Sequence, residues 1–495
     1  MSARTPVWHA VPDAVGVAGQ WRPTDIRGLP ATLRYGASLS GVALAAARGR
    51  PRKVLLVDDL GPLTGSELEA AVDSIAAAVA AAVRHGASRE IGVCAAGHRG
   101  LVAAVTATGA LGLDTALVPA SAGTQVLAAA LADVDVVLAD DATVADVREA
   151  APHARVLDVL ALARRSPGRS LRSVPRPRRA GTLRLLTSGT TGTPRATHRG
   201  GAGIGQLATV LSLMRALELH RDEAVVISPP LSHGHGLAVL TAALVVGAPA
   251  VLAHGRDGAG LIELVHQHAA GVLAVVPAQL ARVLEALEVE AAAGVPGPGL
   301  PTLRRIATGS APLGTGLVVR AQRLLASDVV DFYGSSEAGT ATIATPDDLR
   351  EAPGTVGRPA AGVRVEIVDD DGAVLPPGAV GQVRVTSPWH AVDAPASEIA
   401  VGDLGHLDED GRLFLDGRAD ELLVIGGHNV SLARVQAWFA DQPGVSSAVV
   451  SVLEHAELGH ELSVEVTGEA DLAELRTRAR RELGTASAPR RVERA

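Results

Sequence analysis

The sequence predicts an α/β protein: a large N-terminal domain of mostly parallel sheets with helices and a small β-rich subdomain, then a small α+β C-terminal domain. Three observations carry this expectation. At 495 residues and 47% hydrophobic content the chain is too long for one ordinary core and apolar enough to bury several. Short apolar runs alternate with longer runs of helical period through most of its length, the pattern of parallel strands joined by crossover helices. Beyond Gly362 the period changes to two, with tight turns between short runs, which marks antiparallel strands.

The elements follow in order. An Ala-rich helix is expected from Ser66 to Arg84, then a strand over 91–95, a helix over 100–111, a strand over 115–118, a helix over 125–131 and a strand over 134–139. Residues 164–181 break the alternation with prolines and arginines and read as an exposed connector. A second alternating stretch covers 203–333, with strands expected over 225–228, 250–252, 272–276, 305–308 and 329–332, and a Gly/Pro loop over 294–301. Residues 237–253 are the most apolar run. They include Gly247 and Pro249 and are short for a membrane span, so they read as a buried helix followed by a core strand.

The β-rich part begins with a strand over 363–368, a turn over 369–372 and a strand over 382–386. The domain boundary is placed between 1–416 and 417–495, the second part carrying strands over 448–453 and 462–467 and a helix over 471–483. No internal repeat is apparent.

Composition narrows the function classes. Aromatic residues make up only 2%, so Ala, Val and Leu must fill the interior and a substrate pocket has few rings to stack on. A net charge of −8 gives no electrostatic case for nucleic acid or an anionic membrane as partner. Cys94 is the sole cysteine, which excludes an intrachain disulfide and fits a reducing compartment. The first twenty residues lack the apolar segment of a secretory signal, and a cytoplasmic location is expected. Lys53 is the single lysine, so nearly all positive charge is arginine, as codon bias would also produce.

The stretch from Leu186 to Thr197 concentrates chemistry. Thr187, Ser188, Thr190, Thr191 and Thr193 supply hydroxyl donors, Gly189 and Gly192 let backbone N–H groups approach an anion, and Arg195 adds fixed charge. Such a loop suits ATP phosphates. Its spacing is not that of a Walker P-loop, and a Ser/Thr/Gly-rich surface linker is the plain alternative.

The stretch resembles the signature loop of the adenylate-forming superfamily, which includes acyl-CoA synthetases, luciferases and peptide-synthetase adenylation domains. Asp331-Phe332-Tyr333-Gly334-Ser335-Ser336-Glu337 is similar to that family's Tyr-Gly-x-Thr-Glu motif. The resemblance implies that Tyr333 packs on adenine beside Gly334, that Ser336 contacts the α-phosphate and that Glu337 helps hold Mg²⁺, with Thr187 as a second metal contact. Taken alone, Glu337 reads more simply as a solvated carboxylate at a helix start. Thr308-Gly309-Ser310-Ala311-Pro312-Leu313 resembles the Gly-Gly-Ala-Pro-Leu segment, which implies an adenine slot edged by Gly309, Ser310 and Ala311; a strand ending in a turn explains the hexapeptide equally well.

Asp403 matches the family's Thr-Gly-Asp motif and Arg418 its Gly-Arg-x-Asp/Lys segment, in which Asp420 aligns with the hinge. A carboxylate is a natural acceptor for ribose hydroxyls, and the turn Asp408-Glu409-Asp410-Gly411 between the two would present Asp403 and Arg418 from neighbouring strands. An ordinary charged surface hairpin is the alternative. Pro230-Leu231-Ser232-His233-Gly234-His235-Gly236 resembles the Pro-x-x-His-x-x-Gly segment, implying that His233 borders the acyl pocket and gates entry of the carboxylate. His233 and His235 as a metal pair is a thinner reading, since neither Cys nor acidic companions lie nearby. No amine-anchoring Asp follows Ser232, which disfavours an α-amino acid substrate.

The resemblance spans about Ser66 to Arg494. It implies ATP-dependent activation of a carboxylic acid to an acyl-adenylate, with Mg²⁺, then transfer to CoA or to a phosphopantetheine thiol on a carrier protein, and a C-terminal domain that swivels between the two steps. Glu337, Ser336, Arg195 and His233 are the expected catalytic set. Departures from the pattern are that the sequence given stops at Arg494-Ala495, about where a terminal lysine segment would begin, that Arg195 replaces the loop lysine, and that Arg434 and Gln436 stand where Glu is frequent. Three readings stay open: adenylation with a substitute cation such as Arg490, Arg491 or Arg494; a variant biosynthetic ligase acting on an unusual small acid with an amine acceptor; and a non-catalytic nucleotide-binding relative.

Overall fold

The computed structural model describes residues 2–6, 20, 23–36, 38–83, 88–165, 170–173, 177, 181–187, 195–199, 204–292, 300–335, 337–388, 398–419, 422–425, 428–455, 459–484 and 487–494. Two parallel-rich sheets form its larger part. In the first, strands Val54–Asp58, Ala250–Leu252, Val225–Ile227, Val272–Ala274, Arg305–Gly309 and Asp328–Ser335 run parallel in that spatial order. Antiparallel strands close both edges, Gly61–Thr64 on one side and Gly339–Ala344 with Arg358–Pro359 on the other. In the second, Arg155–Asp158, Val136–Ala139, Glu90–Cys94, Asp114–Val118 and Leu183–Thr187 are parallel, and Arg195–Arg199 turns back antiparallel at the edge.

Four helices between these strands are ones the periodicity predicts, shifted by up to three residues: Gly65–Ala82, Arg99–Ala110, Thr124–Leu131 and Gly234–Val246. Each end has a local cause. Thr64 and Glu67 form a capping box at the start of Gly65–Ala82. Gly247 ends Gly234–Val246 in the left-handed conformation at φ 82°. Alanine-rich faces of Leu39–Gly49, Gly65–Ala82, Arg99–Ala110 and Gly234–Val246 share one apolar cluster with strands of both sheets. Small side chains let helices and sheets approach closely where rings are scarce.

The antiparallel subdomain is a five-stranded sheet ordered Ser2–Arg4, Arg364–Val368, Gly381–Thr386, Glu398–Leu407, Leu413–Arg418. Residues beyond 422 build a separate two-stranded ladder, Leu422–Ile425 with His428–Ser431, and a three-stranded sheet of Val445–His455, Gly459–Gly468 and Arg491–Arg494. Helices Leu432–Ala440 and Leu472–Glu482 share an apolar cluster around Phe439 with these strands. Among the described residues no helix is long and apolar enough to cross a membrane.

A buried ion cluster ties the N-terminal segment to the first sheet. Asp25 lies 3.0 Å from Arg50 and 2.6 Å from Arg221, all three buried. Arg50 also donates to the carbonyls of Leu244 and Val245, the last turn of Gly234–Val246. Lys53, the single lysine, donates to the Arg221 carbonyl and to Asp222 at 2.7 Å. Its role here is to hold two chain segments together.

Candidate active site

Ligands of parallel α/β sheets bind beyond the carboxyl ends of the strands, where loops and helix N-termini converge. Arg305–Gly309 and Asp328–Ser335 lie side by side there, with Gly309 paired to Phe332. After Ser335 the chain turns and returns as Gly339–Ala344, so Glu337 sits in a tight turn between two strands rather than at a helix start. The turn is braced by Ser335 Oγ, which accepts from the Ala338 N–H at 3.0 Å. Glu337 is half-buried, and Ser336 lies outside the described residues.

The phosphate-loop stretch is a hairpin at the edge of the second sheet. Leu183–Thr187 pairs antiparallel with Arg195–Arg199, and Thr187 stands opposite Arg195. Its two ends are therefore strand rather than loop, which fixes the span to be bridged. Ser188, Gly189, Thr190, Thr191 and Gly192 lie outside the described residues.

The expected hairpin over Asp408 to Gly411 is present, with Gly411 at φ 77° and its N–H donating to the Asp408 carbonyl at 3.1 Å. It places Asp403 directly opposite Arg418 on adjacent strands. Arg418 Nη1 approaches Asp403 Oδ1 at 3.5 Å, and the Tyr333 hydroxyl donates to Asp403 Oδ2 at 2.5 Å. Burial, and the Asp403 charge beside it, hold the Tyr333 phenol far above its ordinary range. Tyr333 and Arg418, from two separate motifs, thus meet at the carboxylate of a third, and the Asp403 side chain keeps 16% of its surface open.

On the neighbouring side, His235 occupies the first turn of Gly234–Val246 and is 5% exposed. Its Nδ1 lies 3.5 Å from Ser310 Oγ, and its ring meets Phe332 edge-on with centroids 4.5 Å apart. Burial pushes its pKa down to about 3, so the imidazole is neutral across the physiological range. Ser310 has φ 69°, a left-handed conformation unusual for a serine. His233, the histidine singled out from sequence, caps the same helix from an exposed position and its side chain makes no capping hydrogen bond.

Behind the site, Asp331 is 3% exposed and accepts from the Thr308 hydroxyl at 2.6 Å; burial pushes its pKa up to about 6. Sequence reasoning had no signal for this pair, since both residues lie inside strands. It also missed the contacts between the hairpin and the last part of the chain. Asp416 accepts from His406 Nδ1 at 2.8 Å and lies 3.5 Å from Arg434, in the first turn of Leu432–Ala440. A Cβ on Gly417 would fall 2.1 Å from Ser431 Oγ, so only glycine permits that approach. Asp441 Oδ1 accepts from the Gly316 N–H at 3.4 Å, at the start of helix Thr315–Leu325. The hinge candidate Asp420 lies outside the described residues.

Of the substitute cations, Arg494 is committed to the carbonyls of Gly468 and Ala470. Arg490 and Arg491 are more than half exposed and approach Glu461 at 3.8 and 3.5 Å. Among the described residues no three His, Cys, Asp or Glu side chains form a metal cage.

A family model described as AMP-binding enzyme matches residues 44–392, well over half of the chain. The indoleacetate–CoA ligase of Aromatoleum aromaticum is 31% identical over 302 residues, covering 57% of each chain. A fatty acid–[acyl-carrier-protein] ligase, ScoC of Streptomyces coeruleorubidus, is 28% identical over 284 residues, 54% of this chain and 53% of that protein. The matched part therefore spans little more than half the length of these curated relatives. Among solved structures, the amide bond synthetase McbA from Marinactinospora thermotolerans superposes with a TM-score of 0.77 at 25% identity, covering 92% of this chain and 96% of that one.

Proposed function

The chain belongs to the AMP-binding enzyme family, and from that premise we propose that it activates a carboxylic acid with ATP, forming an acyl-adenylate that a thiol of CoA or of a carrier protein then intercepts. The observation that carries the reading is the convergence of Tyr333, Asp403 and Arg418 beside the carboxyl ends of Arg305–Gly309 and Asp328–Ser335. Asp403 offers two oxygens to vicinal ribose hydroxyls, and Arg418 and Tyr333 hold it oriented. Gly309, Ser310 and Ala311 with the Tyr333 ring edge the adenine, and Gly334 beside it lets the strand end pack on Gly339, whose carbonyl a Cβ would meet at 2.0 Å. The stretch between Thr187 and Arg195, which includes Ser188, Gly189, Thr190, Thr191 and Gly192, takes the phosphates; Ser336 contacts the α-phosphate.

Mg²⁺ ordinarily keeps several waters and binds through one or two carboxylates plus substrate phosphates, so Glu337 fits it without a cage of side chains. Glu337, with Thr187, would hold the ion, which supplies charge neutralisation at the phosphates. In the chemical step a carboxylate oxygen of the acid bonds to the α-phosphorus and the bond to pyrophosphate breaks. Arg195 offsets the charge that develops on the leaving oxygens. His233, exposed at the helix start, borders the acid's entry. In the second step the thiol attacks the carbonyl carbon and AMP leaves. Residues 1–416 and 417–495 are the two lobes of this account, with Gly417 and Arg418 still completing the strand begun at Leu413, and they turn about Asp420.

A second reading differs only in the acceptor: an amine attacks the same mixed anhydride and gives an amide. The near-full-length likeness to an amide bond synthetase favours it. One screen tests both readings. Carboxylic acids are incubated with ATP, Mg²⁺ and, in parallel, CoA, a phosphopantetheinylated carrier protein or an amine, with pyrophosphate and product masses recorded. Acid-dependent pyrophosphate release is expected, and the product mass identifies the acceptor. Nucleotide binding without acid-dependent pyrophosphate from any acid overturns the enzymatic reading.

A further inference from the structure

Beside the nucleotide residues, the space at the ends of Arg305–Gly309 and Asp328–Ser335 is occupied by two rings in a chain that has few. His235 and Phe332 are each 5% exposed and meet edge to face. The imidazole turns Nδ1 toward Ser310, and its other nitrogen, Nε2, is enclosed and has no hydrogen-bond partner among the described residues. An enclosed, unpartnered ring nitrogen is costly, and proteins retain such groups where something else completes them. Ser310 adds an independent sign: a serine at φ 69° is kept in a strained conformation, of the kind that concentrates at ligand clamps. The strain keeps its hydroxyl beside His235 Nδ1, and that contact orients the imidazole and so the direction of Nε2.

We infer that His235 is the specificity determinant of the acid site, selecting a compact acid that carries a hydroxyl or similar hydrogen-bonding group to meet Nε2, with Phe332 limiting the depth. This rests on the adenylation reading and names its substrate class. The neutral imidazole pairs with a hydroxyl in either tautomer, because a hydroxyl both donates and accepts. An acid with a methyl group at the same place leaves Nε2 unpaired. A site built for hydrogen bonding rejects such an analogue more strongly than an apolar pocket rejects a change of size.

The test uses matched acids in which a hydroxyl replaces a methyl: glycolate with propionate, 3-hydroxypropionate with butyrate, and salicylate with 2-methylbenzoate. Acid-dependent pyrophosphate release gives kcat/KM for each member with the full-length protein. The hydroxyl member of at least one pair is expected to be preferred by about tenfold or more. His235→Leu should remove that preference while the methyl acid is turned over as well as before or better. His235→Asn, which keeps a donor and an acceptor, should restore part of it. Phe332→Ala should extend activity to longer acids. Thermal unfolding and ATP binding of each variant establish that the fold is intact. A preference for the methyl member throughout, or a hydroxyl preference that survives in His235→Leu, overturns the inference and leaves adenylation standing. No acid-dependent pyrophosphate from any pair or from the wider screen overturns adenylation itself, and this inference with it.

Discussion

Replacing Asp331 with asparagine isolates one buried carboxyl next to the nucleotide motif. Burial raises its pKa from an ordinary 3.8 to about 6, against the opposing pull of the Thr308 hydroxyl and the Phe332 N–H. The folded protein therefore holds this proton more tightly than the unfolded chain does. Its stabilising contribution is complete below pH 3.8 and is lost as the pH rises through about 6. The gap between the two values corresponds to about 3 kcal/mol in total, of which about 1.4 kcal/mol falls between about pH 5 and about pH 7.5. Asparagine keeps an acceptor for Thr308 and does not titrate. Urea unfolding of both proteins across that range, at fixed ionic strength, should show wild type losing about 1.4 kcal/mol relative to Asp331→Asn as the pH rises. A stability difference that is flat, or that moves the other way, refutes the assignment of a proton-holding carboxyl to this position.

The remaining predictions concern the site and the clamp beneath it. Glu337→Gln should lower acid-dependent pyrophosphate release by about a hundredfold or more with unchanged thermal unfolding, and unaltered turnover would remove Glu337 from the machinery. In calorimetry Asp403→Ala should weaken ATP binding by about ten- to a hundredfold and acid binding by about twofold at most; equal losses for both would count against a ribose contact. Asp25→Ala leaves Arg50 and Arg221 buried without their carboxylate and should cost about 3–5 kcal/mol in denaturant unfolding, whereas a cost under about 1 kcal/mol would show that water already compensates those arginines.

Much of the fold was legible because the two sheets are built from apolar runs that keep their register with the helical period between them. Strand Ala250–Leu252 falls where the pattern places it, and the hairpin from Asp403 to Arg418 was readable from its turn residues and flanking apolar positions. Ser2–Arg4 was not legible, since three residues without an apolar pattern become a strand only through pairing with Arg364–Val368. Nor was the split of the parallel strands into two sheets, because Val54–Asp58 precedes the second sheet in sequence yet joins the first beside Ala250–Leu252.

At the site, the motifs identified which segments carry chemistry but not which atoms meet. The bond from Tyr333 to Asp403 joins residues seventy positions apart, and nothing in either local sequence specifies it. His233 stands out by its place in a motif, whereas the buried surroundings that distinguish His235 come from Phe332 and Ser310, two distant strand ends brought together by packing. Local sequence records residue type and period; burial and unpaired atoms arise only once the chain is closed.

The central claim is that Tyr333, Asp403 and Arg418 form the nucleoside end of an ATP cleft. A crystal grown with a non-hydrolysable acyl-adenylate analogue tests it most directly. Density is expected beside the Tyr333 ring, with both ribose hydroxyls within hydrogen-bond distance of Asp403 and the phosphate mimic near Thr187 and Arg195. Well-ordered analogue bound elsewhere, with neither ribose hydroxyl within hydrogen-bond distance of Asp403, would contradict it.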